Sequence, residues 1–162
     1  MKKALLILLS LGVISSAVKN DSLTYDDLNI NGVVLQQTTK SIVEKMGSPD
    51  TISNYENEMD NEIWKDYRYK GNSFYCYENK WVSFELRNEQ FYFYKPEIKV
   101  GNNIDRVQPF FPNSYKNKEI KNGLGFIIID IKLTKNENSD AFVVINYNSS
   151  TNRISSIHLG SK

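Results

Sequence analysis

Between residues 63 and 159 the chain repeats one local pattern: a short run of aromatic and β-branched residues, then a few residues rich in Asn, Gly, Lys and Glu. Apolar residues alternate with polar ones inside the runs, and period-two alternation between turn-forming residues predicts short strands paired antiparallel. The strands fall at 63–69, 74–77, 82–86 and 91–94, then at 125–133, 141–147 and 153–159. Gly71-Asn72 and residues 78–80, 87–90, 135–140 and 148–152 are the turns. Residues 28–35 read as a further strand or an extended arm.

Two short helices interrupt this pattern. Thr38 is a capping residue, and Ile42 and Met46 follow four and eight positions on, which gives a helix one buried stripe. Gly47 and Pro49 stop it. Asn103, Val107 and Phe111 repeat that spacing. Pro112 ends the second copy, and Pro109 inside it limits the helix to about one distorted turn. Neither helix-plus-hairpin unit buries its apolar face alone. The expected fold class is therefore α+β. Two tandem units, about 28–96 and 97–160, form one antiparallel sheet in a single domain, 18–162, with the helices packed on one face. The other face is left open.

The first seventeen residues read as an export signal. Lys2 and Lys3 precede an apolar run over residues 4–14, too short to span a bilayer, and Ser15-Ser16-Ala17 supplies the small residues before cleavage. The expected location is the periplasm or the medium, with no membrane anchor once the signal is removed. A formal charge of +1 sets no large field, so no nucleic-acid partner is expected. One Cys and one His exclude a disulfide framework within the chain and Cys-based zinc sites, and no cofactor or metal is expected. With 40% hydrophobic and 12% aromatic residues, the chain has the material for a packed core.

A helix starting at Thr38, with Ile42, Met46-Gly47 and Pro49-Asp50, then a meander, twice in tandem, resembles the β-lactamase-inhibitor-protein-like fold. The helix motif is also similar to that of the small lipoprotein of the outer-membrane barrel-assembly machine. The resemblance covers roughly residues 30–159. Gly101 stands where the family's motif opens with Gly, whereas Gln36 stands there in the first unit, and no lipid-attachment Cys follows the apolar run. The resemblance implies an exported protein that binds another protein through the open face of its sheet.

Alternation assigns side chains to faces. Phe74, Cys76, Val82, Phe84, Leu86, Phe91 and Phe93 are expected inward, with Tyr67 and Tyr69. Trp64, Arg68, Tyr75, Tyr77, Trp81, Arg87, Tyr92 and Tyr94 are expected outward, and Trp, Tyr and Arg are the types enriched at protein-binding hot spots. The arm around residues 25–30 is one conceivable cover for that face. Cys76 reads as a small core residue. His158 lacks a recognisable nucleophile motif around it. Glu56, Glu58, Asp60 and Glu62 read as a solvated acidic loop, and residues 116–121 as a solvated linker. The leading functional reading is a non-enzymatic binding protein of inhibitor, immunity or adaptor type whose partner is another protein. A structural accessory in envelope assembly, or a small carboxylate enzyme acting on a glycan or cell-wall substrate, are the alternatives.

Overall fold

The central strands of the nine-stranded sheet share it because their alternate side chains are apolar and need the same cover. The computed structural model describes residues 21–58, 61–134 and 137–161. The export segment 1–17, Asp60 of the acidic stretch, and Lys135 and Asn136 of one turn lie outside the described residues. In chain order the elements are β1 (Leu23–Thr24), β2 (Asn29–Ile30), β3 (Val33–Val34), α1 (Thr39–Met46), β4 (Thr51–Asn57), β5 (Glu62–Tyr69), β6 (Asn72–Tyr77), β7 (Lys80–Leu86), α2 (Pro112–Lys116), β8 (Glu119–Lys121), β9 (Leu124–Thr134), β10 (Glu137–Asn148) and β11 (Arg153–Ser161). Single 3-10 turns lie at Tyr25–Asp27 and Ile104–Arg106. The sheet order is β1-β9-β10-β11-β7-β6-β5-β4, with β8 also on β9. β1 runs parallel to β9, so the sheet is mixed. β2 and β3 form a separate hairpin turned by Asn31 and Gly32, both at positive φ.

One face of the sheet carries the core. Phe74, Phe84 and Leu86 on one half and Ile127, Ile129, Val143, Ile145 and Ile157 on the other are fully buried. Each such side chain contributes about 1.5–3 kcal/mol by leaving water. Their cover is largely irregular chain. Leu28, Ile30, Val33 and Leu35 come from the N-terminal segment, and Phe91, Phe93, Ile98, Val107 and Phe111 from the stretch after β7. Helix α1 adds Ile42, and the Thr38 hydroxyl caps it by accepting from the Ser41 amide at 3.3 Å.

These facts overturn the expected α+β class with two tandem helix-plus-hairpin units. The fold is mostly β, one mixed sheet, and the two units do not match. Where an eight-residue helix stands in the first segment, the second has only the 3-10 turn Ile104–Arg106. Pro109 prevents the turn from propagating, and Pro112 opens α2 at its first position instead of closing a helix. Residues 91–94 are not a strand. Tyr94 has φ 61°, and the segment makes only isolated bridges, Ile30 with Phe93 and Tyr92 with Lys99. Conversely, the polar run Thr51–Asn57 is the edge strand β4, paired with β5 over its whole length. Residues 119–121, read as linker, pair with β9.

Trp81 corrects the outward set. Tyr75 pairs with Ser83, but the next position, Cys76, pairs with Trp81, so Val82 is an extra residue in β7. The bulge turns Trp81 to the same side as Cys76. Its side chain is fully buried, its indole N–H donates to the Ser83 carbonyl at 2.7 Å, and its ring packs on Phe74 and Phe84. Val82, expected inward, is half-buried instead.

Trp81→Ala should therefore cost about 3–5 kcal/mol in a denaturant melt, by lost burial and an unfilled cavity. Fluorescence checks the same placement: after Trp64→Phe, the remaining tryptophan emission should resist acrylamide quenching. A melt at wild-type stability would return Trp81 to the surface.

Candidate functional site

Among the described residues no helix lies on the face opposite the core, and the strand period decides which side chains reach it. β4 contributes Tyr55, β5 Trp64, Asp66 and Arg68, β6 Tyr75 and Tyr77, β7 Ser83 and Glu85, and β11 His158. Five of the eight expected contact residues share this side: Trp64, Arg68, Tyr75, Tyr77 and, just beyond β7, Arg87. Trp81 is in the core. Tyr92 and Tyr94 belong to the irregular cover, where the Tyr92 amide donates to Asn31 Oδ1 at 3.0 Å and Tyr94 packs beside Phe110 and Phe111. The arm at residues 25–30 covers the core side, where Leu28 and Ile30 are buried, and not the aromatic face.

Ring contacts and charge pairs hold the open-face side chains in place. The Tyr55 ring lies 4.7 Å from Tyr75 and 6.3 Å from Trp64, tilted against both. The Trp64 indole N–H donates to Glu62 Oε2 at 3.1 Å, so the last acid of the expected solvated loop orients an aromatic. Arg68 Nε donates to Asp66 Oδ2 at 2.6 Å, and Arg87 Nη2 to Glu85 Oε2 at 2.9 Å. Asp66 is nearly fully buried and its second oxygen has no hydrogen-bond partner. Its hydrogen bond, then its charge, raise the Arg68 pKa above its ordinary value. Burial raises the Tyr75 hydroxyl.

A groove of about 740 Å³ crosses this face from Tyr55 to Gly160. It opens where the two halves of the sheet meet. β7 and β11 are in register at only two positions, Leu86 with Ile157 and Glu85 with His158, and then diverge. Gly160 keeps one rim low: a Cβ there would come within 2.7 Å of the Phe142 ring. On the opposite side of β6, Cys76 is a buried free thiol whose pKa burial pushes up to about 12, which makes it a poor nucleophile.

No family model matches the chain, and no curated protein matches it. Among solved structures it is similar to an extracellular protein containing a SCP domain from Bacillus anthracis str. Ames, at 13% identity over 79% of this chain and 44% of that one, with a TM-score of 0.48. It is also similar to a cysteine-rich secretory protein from Staphylococcus aureus subsp. aureus Mu50, at 13% identity over 89% of this chain and 51% of that one, with a TM-score of 0.43. The chain spans about half the length of these proteins. At these scores the likeness carries no argument about what the chain does.

Tyr55 is the site residue that alternation missed, because β4 lacks an apolar face from which to set its phase. His158 was read without its neighbour Glu85, which lies 73 positions away and reaches it only through the β7–β11 junction. Burial lowers the His158 pKa from its ordinary 6.5, while Glu85 acts in the opposite direction. With the folded value below the unfolded one, the unfolded chain binds the extra proton first. Stability is complete above about pH 6.5 and falls as pH drops from there toward the folded pKa. His158→Gln should remove this contribution. Wild type should lose more stability than the variant between about pH 7.5 and about pH 5, read from paired denaturant melts. Parallel curves would contradict it.

Proposed function

We propose that the protein is an exported, non-enzymatic binding protein that holds another protein in the groove across its open sheet face. The observation carrying this reading is the groove itself: a concavity beside half-buried Trp64 and Tyr75 and exposed Tyr55, on a face that no helix of the described residues covers. Large amphipathic rings held by ring contacts and by Glu62 bring contact area at little further entropic cost on binding. Export rests on Lys2, Lys3 and the apolar run at 4–14. The non-enzymatic part is supported by how the acids are used. The Glu85 carboxylate beside His158 is engaged by Arg87, and the Asp66 carboxylate by Arg68, which keeps both as acceptors in ion pairs.

Affinity capture from the envelope and culture medium of the producing organism tests the reading. A partner should be retained by wild type and lost on Trp64→Ala or Tyr75→Ala, each weakening binding by about 2 kcal/mol or more. The Tyr92→Ala control, in the cover, should retain it. Equal capture by all variants would overturn the groove as the contact surface.

A further inference from the structure

We propose that the groove takes its partner as an extended, basic polypeptide segment, added as a strand in the split between β7 and β11. The inference rests on the groove being the contact surface. Among the described residues no element caps the split. β11 continues past His158 through Leu159 and Gly160, and β7 extends back from Glu85 through Ser83 and Val82, yet none of these has a register partner across the gap. Val82 lacks a partner on β6 as well, because it is the bulge residue. Bulges bend and twist the strand that carries them, which turns this part of β7 away from β11.

Backbone N–H and C=O groups along such edges need partners, from water or from an incoming main chain. An added strand supplies them in a ladder, and its alternate side chains then meet the groove walls. The charge of those walls selects the class of segment. Among the described residues the lining contains Glu85, which Arg87 pairs from outside the groove, and Asp140, and neither Lys nor Arg. A Lys or Arg side chain on the incoming strand would lay its aliphatic stem and its cation against Tyr75 and Trp64 and reach Asp140, or Glu85 in exchange for the exposed Arg87.

The probes are three acetylated, amidated hexapeptides titrated into isotope-labelled protein. One alternates lysine and valine. The second replaces lysine with glutamate. The third is the lysine peptide N-methylated at alternate amides, which removes its ladder donors. The lysine peptide should bind with amide shifts concentrated at residues 82–85 and 158–160. The glutamate peptide should bind at least about tenfold more weakly, and the methylated peptide should lose binding. The double variant Glu85→Gln with Asp140→Asn should weaken the lysine peptide by about tenfold at unchanged melting temperature. Equal binding of the methylated peptide, or shifts away from the split, would overturn strand addition. Equal binding of the glutamate peptide would overturn the basic character. If no peptide binds but captured partner is still lost on Trp64→Ala, the peptide class falls and the groove reading stands. If that loss also fails, both fall.

Discussion

The fold depends on one short contact. Two register positions between β7 and β11 join the half of the sheet from β4 to β7 to the half from β11 to β1. At that seam Leu86 and Ile157 face each other and are both fully buried, so the core runs continuously from β5 to β9. A longer seam would seal the groove. Without a seam, each half-sheet would have to bury its apolar face alone, beneath a cover built for both. The seam carries the buried Leu86–Ile157 pair, and beyond it the open face is split.

The cover over the core is equally constrained. Most of it is irregular chain, and irregular chain is costly to bury because its polar backbone groups need partners. Here they are found case by case. Gln36 donates to the Trp81 carbonyl and Trp81 to that of Gln37, both at 2.9 Å. Phe93 donates to Ile98 and Tyr94 to Asn29. The cover is thus stitched to β7 and to itself, and Trp81 lies at the stitch, joined through its backbone above and through its ring below. Asn and Gly at positive φ, such as Asn31 and Gly32, let the chain reverse tightly enough to make these bonds.

Local features of the sequence were readable where one interaction decided them. Thr38, Ile42 and Gly47 mark α1 because cap, stripe and stop are all local. Phe74, Phe84 and Leu86 sort inward because period-two alternation holds on either side of the bulge. Trp81 could not be sorted, since the bulge that turns it appears only when β6 and β7 are paired. Residues 91–94 alternate as a strand should, but Phe91 and Phe93 are buried by the cover and not by a ladder. β4 has polar residues on both sides because the cover ends before reaching it, and Ile52 and Tyr55 stay exposed. The partners Glu85 and His158 are far apart in sequence, so half of the site was hidden from any local pattern.

Cys76 sits at the bulge, opposite Trp81 and two residues from Phe74 on the same face of β6, and this has a consequence for its reactivity. Its sulfur is shielded by packing, and burial keeps it protonated. An exposed thiolate is the form that attacks disulfides and oxidants. The thiol therefore stays silent for as long as β5, β6 and β7 remain closed over it. Once they part, it can attack a disulfide, forming a mixed disulfide and releasing the other sulfur as a thiolate. The rate at which an added disulfide labels Cys76 therefore reports how readily this half of the sheet comes apart.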